Sequence, residues 1–227
     1  MIKRKLIDGY QFVTYSKQSY AEDEMIRRSS TFYELMDERR SVRSFSSQPV
    51  DRQIIDNILM TASTAPSGAH KQPWCFCVVE DPRIKSEIKM AAEAEEYESY
   101  NGRLPPEWLE DLRPLQTDWH KDFLETAPLL IVVFKKSYEL NGEGRKKNTY
   151  YAVESCGVAC GFLLAAIHNA GLVALTHTPS PMNFLSRILN RPENEKPFLV
   201  IPVGYPAEEC WVPDLERKKL EEVVVRY

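Results

Sequence analysis

Helical and strand-like segments alternate along this chain, and the alternation predicts an α/β or α+β sandwich whose sheet is covered on both faces. Two further observations support that class. Four short runs rich in β-branched or aromatic residues are bounded by Pro, Gly or Asp, as strands are. One longer segment, 153–170, is apolar nearly all round, as a helix buried on all sides would be. With 227 residues, 43% hydrophobic and 27% charged, the chain suits one domain, with a full core or a smaller one completed by a partner subunit.

Residues 1 to about 30 are polar and rich in Tyr, Ser and Lys, and read as an irregular N-terminal arm; residues 31–227 read as a single domain. The first helix is expected from Ser29 or Ser30, carrying Phe32, Leu35 and Met36 at helical spacing and ending in Arg39-Arg40-Ser41-Val42-Arg43. Asp51 can cap a second helix with Ile54, Ile55, Ile58, Leu59 and Ala62 on one face. A turn, Thr64–His70, precedes the first strand of the sheet, Trp74–Val79.

Next comes a strongly acidic run, Glu93–Tyr100, and a flexible break, Asn101–Pro106. A second polar helix is expected from about Glu107 to Leu124. This helix-loop-helix, at about 91–124, has few core positions and reads as a mobile lid. Strands follow at Leu129–Phe134, Leu172–Thr176 and Phe198–Val203, the last stopped by Pro202-Val203-Gly204-Tyr205-Pro206. Between the second and third strands runs the apolar helix, closed by Gly171 at the position just past its end. Gly157, Ala159 and Gly161 let it pack closely, which places it at the centre of the domain or of a dimer. The closing Val223–Tyr227 is strand-like without a hairpin partner, and is expected to add to a sheet edge.

A net charge of -4 and a pI near 5.7 argue against a nucleic-acid-binding face, which needs a basic excess. No apolar run approaches the ~20 residues of a membrane span, and the N-terminus lacks an apolar core of signal-peptide length. No membrane partner is expected, and a cytoplasmic location is the default expectation. Five cysteines without a CxxC pair argue against a disulfide framework or thiolate metal site; most should be small buried hydrophobes. His70, His120, His168 and His177 show no ligand spacing, so no metal is expected.

The chain has nine glycines, no GxGxxG and no P-loop, so a bound phosphate must be held by side chains. Arginine presents a rigid fork of donors that fits phosphate oxygens, and three arginines lie within five residues at 39–43. The Pro-Ser-Gly turn after them can bring backbone N–H groups up to a flat ligand. A lone phosphate dianion balanced by two or three arginines matches FMN better than a dinucleotide pyrophosphate.

Arg39-Arg40-Ser41-Val42-Arg43-Ser44-Phe45 and Ala65-Pro66-Ser67-Gly68-Ala69-His70, with Pro73-Trp74 beyond, resemble the FMN-binding segments of the nitroreductase superfamily. Within it, the chain is most similar to the iodotyrosine deiodinase family, from about Tyr33 to its C-terminus. The resemblance implies a nitroreductase-like FMN-binding fold of the α+β class: a central mixed, mainly antiparallel sheet flanked by helices, in a domain-swapped homodimer. A C-terminal segment, about 206–227, would be exchanged with the partner. Arg39, Arg40, Ser41, Val42 and Arg43 would hold the ribityl phosphate and part of the ring edge, and Arg217 matches a later phosphate-binding arginine. Pro66 and Ser67 would contact the flavin from the other subunit.

Leu175-Thr176-His177-Thr178-Pro179 matches the segment beside the flavin N5 edge, with Thr176 as the catalytic candidate and His177 and Thr178 also at the cofactor. A hydroxyl bonded to N5 favours one-electron steps over hydride transfer. Glu96, Tyr100 and Lys121 fall on the three positions that grip the amino-acid part of a halotyrosine, and the Ala69 N–H would meet its phenolate. Glu96 and Tyr100, one turn apart, share a helix face. The implied activity is reductive removal of halide from 3-iodotyrosine and from bromo- and chlorotyrosine, giving tyrosine and halide. Electrons would come from an NAD(P)H-linked reductase or a flavodoxin- or ferredoxin-type carrier. The FMN segments are shared across the superfamily, so an NAD(P)H-dependent nitroreductase or flavin reductase of broad aromatic specificity is the alternative. A flavin-bound halotyrosine-storage protein is a third.

Overall fold

A computed structural model describes residues 2–15 and 18–227. The chain divides into two compact units, one ending at Glu38 and one from Arg39 to Tyr227. In the first, β1 (Arg4–Ile7) and β2 (Tyr10–Val13) form an antiparallel hairpin across an Asp8-Gly9 turn. Helix α1 (Glu22–Asp37) follows. It starts seven residues before the expected Ser29, so together with the β1–β2 hairpin it makes most of the arm regular where an irregular one is expected. The cause is charge rather than an apolar stripe: Glu22, Asp23 and Glu24 occupy the positive end of the helix, and Glu24 pairs with Arg27 at 2.8 Å and Arg28 at 3.3 Å.

In the second unit the Asp51 carboxylate accepts from the Gln53 N–H at 2.7 Å and starts α2 (Arg52–Ser63), which buries Ile55, Ile58 and Ala62. Strand β3 (Trp74–Val79) leads into α3 (Pro82–Glu98), capped by Asp81 and with Pro82 at its first position. A π-turn, Ser99–Arg103, connects α3 to α4 (Pro106–Leu112), and α5 (Phe123–Thr126) precedes β4 (Leu129–Lys136). A small hairpin of β5 (Tyr138–Leu140) and β6 (Lys146–Asn148) then gives way to α6 (Ala152–Asn169). The chain closes with β7 (Val173–Ala174), α7 (Asn183–Ile188), β8 (Glu195–Gly204) and α8 (Leu220–Val223).

The main sheet has the order β3-β4-β8-β7, every neighbour antiparallel. A parallel bridge from Ser41 to Ala174 makes it mixed. Alternation along β4 sorts the core. Leu129, Ile131 and Val133 face α2 and α6, while Leu130, Val132 and Phe134 face α3, α5 and α7. Both faces are covered, as expected.

Three expectations are corrected. The polar helix expected from Glu107 to Leu124 is broken: α4 stops at Leu112, a 3₁₀ turn spans Arg113–Leu115, and Gln116 turns left-handed at φ 47°. Pro114 supplies no N–H to continue the ladder. The strand expected at Leu172–Thr176 pairs as β7 only at Val173–Ala174, after which the chain touches β8 once more through His177 and Val200. Helix α6 is not buried on all sides within one chain. Ser155, Cys156, Ala159, Cys160, Leu163 and Ile167 point inward, whereas Val153, Val158 and Phe162 are 40–50% exposed. Its length and composition would also suit a membrane span, but its inward face packs into the core. At the C-terminus Val223 closes α8, and Val224–Tyr227 is extended and exposed, paired with no strand among the described residues of its own chain. Gly171, at φ 78°, ends α6 in the left-handed conformation expected of it.

Candidate active site

Two neighbouring cavities gather most of the predicted site residues. The first, about 310 Å³, is lined by Arg39, Arg40, Ser41, Arg43 and Arg217, with Leu115, Val212, Pro213, Leu215 and Glu216 completing its wall. The arginine segment is fixed where it bridges β7: the buried Val42 donates its N–H to Ala174 O at 3.1 Å, which leaves Ser41 and Arg43 to face the cavity. Two long-range bonds tie the C-terminal segment to it. Arg40 donates to Pro213 O, and Arg217 donates to Arg39 O at 2.8 Å. Burial, with Arg217 and Arg40 close by, pushes the Arg39 guanidinium below its ordinary value. Cations crowded this way call for an anion.

The second cavity, about 270 Å³, shares Arg43 with the first. Its floor is Thr176, His177 and Thr178 after β7, and its roof is the lid: Glu96, Tyr100 and Lys121 with Leu104, Trp108 and Leu112. Helix α3 carries Glu96 and the π-turn carries Tyr100. Lys121 is brought in from the far side by its own N–H, which donates to Glu93 at 2.7 Å. Lys121 is 3% exposed, and its ammonium lies 3.5 Å from the Glu96 carboxylate, with Asp118 O and Thr117 Oγ1 as further acceptors. It also sits 5.3 Å from the centre of the Tyr100 ring, whose hydroxyl donates to Thr117 O at 3.3 Å. Burial raises Glu96 against the pull of Lys121, and burial lowers Lys121 against the pull of Glu96. Both charges are held at a cost that a ligand with its own two charges would relieve.

The lid is anchored at its base by Lys89, which pairs with Asp122 at 2.7 Å and Glu125 at 3.1 Å, and by Arg103 on Glu95 at 2.7 Å. His177 is buried beneath it, edge-on to Phe123 with ring centres 5.5 Å apart. Burial, with Lys121 and Arg43 nearby, drives its pKa down to about 3. Its Nε2 has no protein partner, a buried polar atom waiting for one.

Pro66, Ser67 and Ala69 line neither cavity. They lie in a turn locked by Ser67, whose Oγ accepts from Gln72 N at 2.9 Å and whose carbonyl accepts from His70 N at 3.0 Å. Ala69 and His70 are left-handed at φ 48° and 54°, strain of the sort that collects at functional sites. Gly68 is required there: a Cβ would stand 2.8 Å from the carbonyl oxygen of Tyr150.

Residues 36–205 match the Nitroreductase family. This chain belongs to that family. The nitroreductase-family chain is 62% identical to the iodotyrosine deiodinase of Haliscomenobacter hydrossis over 95% of its own length and 97% of the relative's. It is 46% identical to human iodotyrosine deiodinase 1, over 96% of its length and 76% of that protein's. A solved structure of oxidized iodotyrosine deiodinase bound to FMN and 3-iodo-L-tyrosine superposes with a TM-score of 0.74 at 31% identity, over 86% of this chain and 98% of the other. An NADH dehydrogenase/NAD(P)H nitroreductase structure from Bacteroides thetaiotaomicron gives 0.62 at 26% identity. Family members are flavin-dependent oxidoreductases, and so is this chain.

For this family member the sequence reading missed the apolar roof, Leu104, Trp108 and Leu112, and the Val212-Pro213 wall. Only the exposed Trp108, an indole without a core to fill, signalled the former. Proximity in space, not any local pattern, put the latter beside Arg40.

Proposed function

We propose that this chain is an FMN-dependent reductive dehalogenase that converts 3-iodo-, bromo- and chlorotyrosine to tyrosine and halide. The lid carries the reading: Glu96, Tyr100 and Lys121 face Thr176 across one cavity. A carboxylate and an ammonium set apart by 3.5 Å can exchange each other for the α-ammonium and α-carboxylate of an amino acid. A reductase of broad aromatic specificity has no need for that pair.

The donor set of the first cavity fits FMN. Arg39, Arg40, Arg43 and Arg217, with the Ser41 hydroxyl, supply the forks that a phosphate dianion takes, and Arg43 joins the phosphate end to the reaction cavity. When bound, FMN supplies the electrons, one at a time. Thr176, exposed just after β7, would offer its hydroxyl to the flavin N5 edge, which favours one-electron steps over hydride transfer. His177 and Thr178 would border the ring.

Glu96 takes the substrate ammonium, Lys121 the carboxylate, and Tyr100 either through its hydroxyl. Ala69 and its turn would come from a second copy of the chain, where Pro66 and Ser67 would hold the flavin and the Ala69 N–H would donate to the phenolate oxygen. That donor favours the anion and the nonaromatic keto form, in which the carbon–halogen bond is weakened. In sum, two electrons and one proton replace the halogen by hydrogen and free halide. Lid closure excludes water during these steps.

The homodimer exchanges its C-terminal segments, and an NAD(P)H-linked reductase or a flavodoxin- or ferredoxin-type carrier reduces it in the cytoplasm. The test is to reduce the purified yellow protein with dithionite and assay tyrosine and halide from the three halotyrosines. Release of both supports the reading. NADPH oxidation with nitroaromatics and no halotyrosine turnover would replace it with a nitroreductase.

A further inference from the structure

Cys75 and Cys77 line neither cavity of the candidate site. Two residues apart on β3, they leave the same face of the sheet and pack on the side of α3 and α7. Strand β3 is an edge strand in the chain, and both cysteines are half-buried rather than sealed.

From beyond α7, Arg191 reaches the Cys75 sulfur, its Nη2 3.6 Å from Sγ. That guanidinium is held by Glu195, 5% exposed, at 2.7 Å through both Nε and Nη2. Lys136, opposite Glu195 in the pairing of β4 and β8, stands 3.9 Å from the carboxylate. A guanidinium aimed at a sulfur favours its thiolate. The neighbouring Cys77 thiol first, then Arg191 and Lys136, hold Cys75 below the usual thiol range against burial and Glu195. Cys75 and burial in turn push Cys77 up. Cys156 and Cys160 are the contrast, raised by burial to about 11 and about 12.

We propose that Cys75 and Cys77 form a peroxide-reactive dithiol, with Cys75 the nucleophile and Cys77 the resolving thiol. In the first step the Cys75 thiolate attacks one oxygen of hydrogen peroxide. An S–O bond forms, the O–O bond breaks, sulfur is oxidised by two electrons, and hydroxide leaves and is protonated to water. In the second step the Cys77 sulfur attacks Cys75, an S–S bond forms and the S–O bond breaks. The departing hydroxide takes the Cys77 proton, so two thiols and one peroxide give a disulfide and two waters. Alternate residues of a strand lie about 6.4–6.8 Å apart at Cα, the upper limit for a disulfide, and their Cβ atoms stand farther apart than the ~3.5–4.5 Å that a bridge needs. Closing it requires the edge strand to buckle locally, and a bridge strained in that way is readily reduced, which makes the site reversible.

The experiment treats the full-length protein with hydrogen peroxide at neutral pH and maps the peptide containing both cysteines by mass spectrometry. The expected product is lighter by two hydrogens and is restored by a dithiol reductant. Cys77→Ser should stop at a sulfenic acid on Cys75 that dimedone traps, and Cys75→Ser should abolish the reaction. In unoxidised wild-type protein, iodoacetamide labelling of Cys75 should outpace that of Cys210, with a pH midpoint below the ~8.5 of a free thiol, moving up in Arg191→Gln. Oxidation that stays on Cys210, or Cys75 labelling with an ordinary thiol midpoint in the wild type, would overturn the proposal.

Discussion

Glu96 and Lys121 form a pair that is largely buried and, in the reading proposed above, separates when a zwitterion arrives. Glu96→Gln removes one charge-assisted hydrogen bond of about 1.5–3 kcal/mol, so the half-saturating halotyrosine concentration should rise about 10- to 100-fold. FMN content should stay as in the wild type, because the phosphate cavity does not include Glu96. Since burial raises the Glu96 pKa, its carboxylate protonates earlier than an ordinary glutamate as pH falls. Halotyrosine affinity, read by flavin-fluorescence titration, should therefore weaken on the acid side, and Glu96→Gln should flatten that limb. For folding the sign is opposite: a raised carboxylate stabilises the fold below its unfolded pKa, and that contribution is lost as pH rises through the folded value. His177 works the other way. With a folded pKa of about 3 against 6.5, its contribution is complete above about 6.5 and is lost as pH falls toward 3. In urea titrations, His177→Asn should lessen the acid loss of stability by up to about 1.4 kcal/mol per pH unit in that window.

The elements place these groups with unequal rigidity. Strands β4 and β8 are deeply buried and set the floor through β7, whereas the roof rests on a π-turn, a short helix and a left-handed residue. The Pro66–His70 turn is held against the start of α6, where the Ser155 hydroxyl accepts from Gly68 N at 3.4 Å. Gly68→Ala would drive a methyl into the backbone of Tyr150, which cannot rotate away as a side chain can. The expected cost is about 1–3 kcal/mol of stability, seen as a lower Tm, together with weaker retention of FMN on gel filtration. An unchanged Tm would mean that the turn yields freely.

For the whole molecule, the outward face of α6 sets Val153, Val158 and Phe162 beside Gly157 and Gly161, over which a Cβ would meet nothing within 4 Å. The proposed homodimer covers this apolar stripe and receives the exposed Val224–Tyr227 segment. Phe162→Glu would bury a charge at that contact. Sedimentation velocity should show its dimer dissociating at concentrations at least about tenfold higher than for the wild type, with loss of bound flavin in parallel. A monomeric wild type that retains flavin would remove the second copy from the site.

The sequence by itself determined the layered class, α2 with its Asp51 cap, β3 to the residue and the core of β4, and it singled out residues of the arginine segment, of α3 and of the Thr176 loop that two cavities gather. Those signals are local: a cap, a period, a spacing, a run of branched residues. It misjudged α1, where charge rather than an apolar stripe sets the start, and the lid, where Pro114 breaks a pattern that continues in composition. Only the tertiary structure decided that Arg217 returns to Arg39, that Lys121 folds back onto Glu96, and that the unpartnered nitrogen of His177 lies under the lid. Each of those joins residues distant in sequence or depends on burial, and neither long-range proximity nor desolvation is written in any short stretch of chain.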